Sequence, residues 1–255
     1  MVVKKAIITS AGQATRMRPI SNIVPKALLP VFKTIDGKKY SVPVIDLITE
    51  SLRNAGASQF CFVVGAKGRM LMDYLSETNA TYAIQKEPKG FADAVLKGEE
   101  FAGSDPFFLH SDDDFITGGY KEAIDIFDEL EEIDCLCLLT KVEDPKPYGV
   151  VEVEPYKEMF SHQVFKIKSA EEKPLNPKSN FILSAEYIFT PKIFDTIREL
   201  TNEINKEVYV STCVQKVIEK GGKVYGMYID EKETWLTVGT PNTYFEALDY
   251  SYKNL

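Results

Sequence analysis

Lys4-Lys5-Ala6-Ile7-Ile8-Thr9 runs directly into Ser10-Ala11-Gly12-Gln13-Ala14-Thr15-Arg16-Met17-Arg18-Pro19-Ile20-Ser21, and the chain continues to Pro25-Lys26-Ala27-Leu28-Leu29-Pro30. The first piece is a short apolar run ending in small polar residues, the profile of a buried strand over Lys4 to Thr9 that delivers a functional loop. In an open parallel sheet, ligands bind in the crevice beyond the strand ends, where a loop of small residues lets backbone N–H groups approach phosphate oxygens. Arg16, Arg18 and Lys26 put three cations in this loop. Arginine offers a planar fork for phosphate oxygens, whereas lysine offers a mobile point charge that can follow charge as it develops. On composition alone, a solvated basic loop stiffened by Pro19, Pro25 and Pro30 is the alternative. Gly12 stands alone, so the loop matches neither G-x-G-x-x-G nor G-x-x-x-x-G-K-[ST].

Working outward, helical spacing appears at Val44, Leu47, Ile48 and Leu52 and is closed by Gly56. A strand follows over Gln59 to Val64, then a helix over Lys67 to Leu75, a strand over Thr81 to Gln85, a helix over Phe91 to Phe101 and a strand over Pro106 to Ser111. This alternation predicts βαβ units and a mainly parallel sheet covered by helices. Further on, Ala123, Ile126, Phe127 and Leu130 form one helical face, and Asp134 to Val142 reads as a buried strand. Gly149 to Glu154 and Val164 to Ile167 alternate apolar with polar, as strands with one wet face do. Thr190-Pro191 and Thr240-Pro241 each set an N-cap threonine before a proline, which predicts helices over Pro191 to Leu200 and Pro241 to Tyr252. With no repeat or linker, residues 1–255 read as a single domain. Its nucleotide-binding half covers about residues 1–115 and its acceptor half about 116–255.

The chain has 255 residues, 44% of them hydrophobic, with 30 basic against 38 acidic side chains and a formal net charge of −8. That length supports a large core without disulfides. An acidic surface repels a nucleic-acid backbone, so any phosphate ligand must be held by a local basic cluster. No apolar run reaches the roughly 18 residues of a membrane span, and Ala6-Ile7-Ile8 is too short for a signal-peptide core. The expected setting is the cytoplasm. Cys61, Cys135, Cys137 and Cys213 form no C-x-x-C pair and sit in apolar stretches, so they read as buried, reduced core residues. His110 and His162 are isolated and offer no zinc-ligand spacing.

The loop resembles the signature of the sugar nucleotidyltransferases, the nucleoside-diphosphate-sugar pyrophosphorylases, written G-x-G-T-R-x-x-P-x-[ST]-x-x-x-P-K-x-[LM]-x-P. Gly12, Thr15, Arg16, Pro19, Ser21, Pro25, Lys26, Leu28 and Pro30 match at the family spacing, while Ala14 stands where the second glycine belongs. Five further segments are similar to family motifs, in the family's order. Gln85-Lys86-Glu87-Pro88-Lys89-Gly90-Phe91-Ala92-Asp93-Ala94 resembles the base-recognition segment, and Phe107 to Asp113 the strand ending in a metal-binding aspartate. Tyr148-Gly149-Val150-Val151 resembles the Y-G-V motif, Glu171-Glu172-Lys173-Pro174 the E-K-P motif, and Trp235 to Pro241 the closing W-x-D-x-G-[ST] motif.

The resemblance implies a three-layer α/β/α sandwich with a mixed, mainly parallel, Rossmann-like sheet. It also implies nucleotidyl transfer from an NTP to a sugar 1-phosphate, with UTP and glucose 1-phosphate the favoured pair. A thymidylyltransferase and a regulatory subunit that binds a nucleotide sugar without turnover stand as alternatives. By the same resemblance, Arg16, Lys26 and Asp112 are catalytic. Ala11, Gly12, Gln13, Thr15, Gln85 and Gly90 bind the nucleotide, and Gln85 would donate to and accept from a pyrimidine edge at once. Tyr148, Gly149, Glu172 and Lys173 bind the sugar phosphate. The implied cofactor is Mg²⁺ on Asp112, and Thr237 stands where the family has its second metal-binding aspartate. In an extended strand, Asp112 and Asp114 would share a side and Asp113 would point away. The partners expected are the two substrates, with neither nucleic acid nor membrane, and a homo-oligomer is compatible with this reading.

Overall fold

The computed structural model describes residues 3–118, 120–203, 207–229 and 233–255. In chain order the strands and helices are β1 (Lys5–Ser10), β2 (Pro30–Ile35), β3 (Lys38–Pro43), α1 (Val44–Asn54), β4 (Gln59–Val64), α2 (Gly68–Tyr74), β5 (Ala80–Ile84), α3 (Phe91–Lys97), α4 (Glu99–Ala102), β6 (Phe107–Ser111) and β7 (Asp114–Ile116). The second half adds α5 (Tyr120–Glu129), β8 (Cys135–Lys141), β9 (Gly149–Met159), β10 (His162–Glu172), β11 (Phe181–Phe189), α6 (Lys192–Glu203), α7 (Val210–Glu219), β12 (Val224–Tyr228), β13 (Trp235–Thr237) and α8 (Pro241–Asn254).

One sheet runs β5-β4-β1-β6-β11-β8-β12-β10-β9. Strands β5, β4, β1 and β6 are parallel, β11 runs antiparallel to both β6 and β8, and β12 is parallel to β8. This is the mixed, mainly parallel sheet expected. In β1, Ala6 and Ile8 face a core completed by Ile48 and Leu52 of α1 and Phe127 of α5, whereas Ile7 faces Val95 of α3 and Ala102 of α4. Residues of β1 thus bury both faces, which is why its sequence is a continuous apolar run rather than an alternating one.

Several elements escaped the sequence reading. Strand β11 is buried on both faces and carries Glu186 in its middle, so it shows no period of two. Helix α7 is rich in Val, Thr and Cys, residues at home in strands, and is held helical by the Val210, Cys213, Val214 and Val217 face it buries. The helix expected over Phe91 to Phe101 is interrupted at Gly98, which separates α3 from α4. A Cβ on Gly98 would lie 2.6 Å from Ile7 Cδ1, so the glycine lets the helix press onto β1. Thr240 does cap α8, accepting from Thr243 N–H at 3.3 Å. The Thr190 hydroxyl instead donates to the Asp134 carbonyl at 3.4 Å. No helix among the described residues is long and apolar enough to cross a membrane.

Register decides where the loops meet. Ser10 pairs with Val64 and Thr9 with Ser111, so the segments after β1, β4 and β6 leave the sheet at one end. The two-stranded ribbon of β7 and β13 pairs Asp114 with Thr237, which brings the last motif of the chain to that same end. Gly65 is where the loop after β4 closes on the loop after β1: a Cβ there would meet the Ala11 carbonyl oxygen at 2.9 Å. Backbone cannot yield as a flexible side chain would. Gly65→Ala is therefore expected to leave the fold intact but, for the nucleoside triphosphate that the resemblance implies, to weaken binding about tenfold by displacing Ala11, as titration calorimetry on native and variant protein will measure.

Candidate active site

The loop after β1 opens with Ala14 in the left-handed region, at φ 50 and ψ 43. A residue with a Cβ pays about 1 kcal/mol or more for that conformation, which glycine adopts freely. Here the turn is braced instead: the Ala14 carbonyl accepts from the Ser21 hydroxyl at 2.7 Å and from Met17 N–H at 3.0 Å, and Lys67 holds the Ser21 carbonyl. Ala14 thus keeps the turn that the resemblance assigns to glycine. Two short 3-10 turns later, Lys26 is carried inward and forms an ion pair with Asp113.

The acidic side of the site comes from the end of β6. The chain bends at Asp112 and Asp113 before re-entering a strand at Asp114, so the expectation of an extended run is corrected. Asp113 does not point away; its Oδ2 is the partner of Lys26. Asp112 accepts from the Ser10 hydroxyl at 2.5 Å, and Asp114 from the Ser111 hydroxyl at 2.5 Å. Burial, eased by Lys26 but reinforced by Asp113, lifts Asp112 to about 6. Burial and the Asp113 charge lift Asp114 to about 7 against the donors Ser111 and Thr237. Burial pulls Lys26 down, but Asp113 and Asp112 outweigh it and the net movement is upward, so the lysine is firmly cationic.

Beneath these carboxylates lies His110, buried completely. Its Nδ1 meets the Ser111 carbonyl at 2.5 Å, an acceptor only, so Nδ1 carries the hydrogen and Nε2 accepts from the Tyr120 hydroxyl at 2.6 Å. Burial drops this imidazole to about 4, and it is neutral at physiological pH. Glu186 of β11, at the irregularity where its pairing with β8 shifts, is fully buried with neither carboxyl oxygen hydrogen-bonded. Burial, with the charge of Asp114, pushes its pKa well up and keeps it protonated.

All the residues expected from sequence line one cleft of ≈ 840 Å³: Ala11, Gly12, Gln13, Thr15, Arg16, Lys26, Gln85, Gly90, Asp112, Tyr148, Gly149, Glu172, Lys173 and Thr237. At one end, Gln85 donates through Nε2 to the Gly90 carbonyl at 3.0 Å and to Asp93 Oδ2 at 2.7 Å. Both of its N–H groups are spent. Gln85 can therefore only accept from a ligand, which narrows the donor-and-acceptor role expected of it. At the other end, Glu172 accepts from the Ser211 hydroxyl at 2.7 Å and lies 3.0 Å from Lys173 Nζ, which sits 4.5 Å over the Tyr209 ring. Tyr148 stacks edge-on against Trp235 at 6.0 Å. Asp93, Ser10 and Ser111, which lie within quoted motifs, and Tyr209 and Ser211 were given no role by sequence reasoning, because each acts through a partner on another element.

A family model described as nucleotidyl transferase matches residues 5–253. The chain belongs to the nucleotidyl transferase family. It is 28% identical over 250 residues to the UTP–glucose-1-phosphate uridylyltransferase AglF of Haloferax volcanii, covering 95% of this chain and 94% of that one. It is also 28% identical over 231 residues to a glucose-1-phosphate thymidylyltransferase of Streptomyces antibioticus, covering 89% of this chain and 60% of the relative. Among the curated relatives it matches, the chain thus spans about three fifths of some and nearly all of others. A UDP-glucose pyrophosphorylase solved with UDP-glucose superposes with a TM-score of 0.85 at 26% identity, over 99% of this chain and 100% of that one.

The donor set fits a hard divalent cation bound together with phosphate. Asp112 and Asp113 line the cleft as neighbouring carboxylates, and burial makes the Asp112 charge costly unless a cation joins it. Among the described residues no group of three or more His, Cys, Asp or Glu is arranged to hold a metal alone. Mg²⁺ suits such a partial set, since it takes one or two carboxylates and completes its octahedron with water and substrate phosphates. Thr237 is committed elsewhere. Its hydroxyl donates to Asp114 and accepts from Gly239 N–H at 3.2 Å, so position 237 braces an acid rather than adding one.

Two stability predictions follow from these environments. Ala14→Gly relieves the left-handed strain and should raise stability by about 0.5–1 kcal/mol in urea unfolding. Asp114 binds its proton more tightly folded than unfolded, so its contribution to stability is lost as pH rises from about 4 through about 7. Asp114→Asn removes the titration while keeping one acceptor oxygen for the hydroxyls around it. Its gain in melting temperature over the native protein should be several degrees at pH 8 and shrink toward zero near pH 4.

Proposed function

We propose that the protein transfers a nucleotidyl group from a nucleoside triphosphate, UTP by preference, to a sugar 1-phosphate, glucose 1-phosphate by preference, releasing pyrophosphate. The observation that carries this reading is that Lys26 and Lys173, from opposite halves of the chain, line one cleft together with the carboxylates of Asp112 and Asp113. Two anionic substrates can be seated there against a lysine each. A phosphate oxygen of the sugar 1-phosphate attacks the α-phosphorus in line, the bond to the β-phosphate oxygen breaks, and pyrophosphate leaves with the electron pair. The sugar phosphate is already ionised at neutral pH, so no strong base is required and catalysis is positioning plus charge stabilisation.

In this scheme Arg16 and Lys26 hold the triphosphate. Lys26 must exchange Asp113 for phosphate oxygens, which releases the Asp113 carboxylate as substrate enters. Lys173 holds the sugar phosphate and Glu172 accepts from sugar hydroxyls. The Gln85 carbonyl and Gly90 contact a pyrimidine base. Asp112 and Asp113 would hold Mg²⁺, which when bound supplies positive charge beside the α-phosphate.

The relatives named for UTP and for thymidylyl transfer support a pyrimidine nucleotide, and the likeness to a UDP-glucose pyrophosphorylase supports uridine. Pyrophosphate release across an array of nucleoside triphosphates and sugar 1-phosphates with Mg²⁺ tests the reading. Greatest turnover is expected with UTP or dTTP and a hexose 1-phosphate; binding without turnover for every pair would instead mark a regulatory subunit.

The two lysines should differ in kind. Lys26→Ala removes a cation from the side where charge develops as the bond breaks, and kcat is expected to fall about a hundredfold. Lys173→Ala should chiefly raise KM for the sugar 1-phosphate, by about tenfold, with kcat less affected. Steady-state kinetics on both variants checks this split.

A further inference from the structure

Asp93, on the first turn of α3, is nearly buried; it lies within the segment that resembles the base-recognition motif but was given no role there. Its Oδ2 takes one of the two hydrogens of Gln85 Nε2 at 2.7 Å, and the Gly90 carbonyl takes the other at 3.0 Å. Lys97 Nζ lies 3.3 Å from its second oxygen, so the carboxylate's charge is matched on the side away from Gln85. Both partners of Nε2 are pure acceptors. Were the amide turned over, its oxygen would face a carboxylate oxygen and a carbonyl oxygen, leaving two buried acceptors without donors. Gln85 itself is only 4% exposed yet lines the cleft, so what it presents there is Oε1.

We infer that Asp93 is a positioning residue for base selection: by fixing the Gln85 amide with its oxygen toward the cleft, it sets a preference for uracil or thymine over cytosine. The inference deepens, and rests on, the reading of this cleft as a pyrimidine nucleotide site. Uracil and thymine carry a hydrogen on ring N3, which Oε1 accepts; cytosine presents a lone pair at N3, which Oε1 opposes. An amide free to turn would serve both, offering oxygen to one and N–H to the other. A site built to make a particular hydrogen bond rejects the analogue that cannot make it, because its own buried group is then left unpaired. The discrimination therefore lies in the Asp93 lock as much as in Gln85, since a glutamine alone carries no preference.

Binding of UTP, dTTP and CTP by titration calorimetry, with pyrophosphate release measured in parallel, tests this on native protein and on Asp93→Leu, Asp93→Ser and Asp93→Asn. Native protein should favour UTP and dTTP over CTP. Leu and Ser cannot hold the amide as a carboxylate does, and the UTP-to-CTP ratio should fall by about tenfold, with KM for the sugar 1-phosphate unmoved. Asn keeps one acceptor oxygen, for which Lys97 and the Gln85 amide compete, and should give a ratio between those of native and Leu. If Asp93→Leu fails to fold, the smaller Asp93→Ser decides. A ratio unchanged in a folded Leu or Ser variant, or equal binding of UTP and CTP by the native protein, overturns the inference. Absence of turnover alongside a UTP preference that depends on Asp93 would instead overturn the nucleotidyl-transfer reading and leave the lock standing.

Discussion

The site is organised around the ion pair between Lys26 and Asp113, set among the buried carboxylates of Asp112 and Asp114. Carboxylates taken out of water must be paired, hydrogen-bonded or protonated. Here each solution is used: Asp113 is paired, Asp112 and Asp114 take serine hydroxyls and are raised toward neutrality, and Glu186 below them holds its proton. The consequence is a cleft floor that holds excess negative charge and responds to any cation or phosphate that enters. On the proposed reading, a triphosphate competes with Asp113 for Lys26 and a dication competes with protons for Asp112.

That pair depends in turn on a chain of backbone contacts. Lys26 reaches Asp113 only because the loop after β1 turns at Ala14, is tied by Ser21, and is pinned through Ser21 by Lys67 from the neighbouring βα segment. The β7–β13 ribbon supports the other partner, placing Thr237 against Asp114 and Gly239 close to Asp113. The parallel pairing of β1 with β6 brings the β1 loop to the acid cluster, and the antiparallel β7–β13 ribbon, a separate two-stranded sheet, brings Thr237 and Gly239 there.

The acceptor half is built by different means. Lys173 sits just past β10 at a positive φ of 47, turned beside Glu172, and Tyr209 and Ser211 from the start of α7 hold the two side chains. Antiparallel β11 separates the parallel strands of the first half from β8 and β12, so the sheet is continuous while the two halves contribute different chemistry to its common edge.

The β1 loop, the strand ending at Asp112 and the segments carrying Gln85, Tyr148 and Lys173 were legible in the sequence, because each is a local run in which side-chain type and spacing follow from the backbone it occupies. The parallel first half was legible for the same reason, its strands and helices alternating with clear periods. Strand β11 and helix α7 were not, since burial on both faces of one and β-branched composition of the other hide the period. The orientation of Asp113, the committed hydroxyl of Thr237 and the single acceptor left on Gln85 belong to the tertiary structure alone. Each is decided by a hydrogen-bond or charge partner supplied from another element, and which way a carboxylate, hydroxyl or amide points is fixed only when that partner arrives.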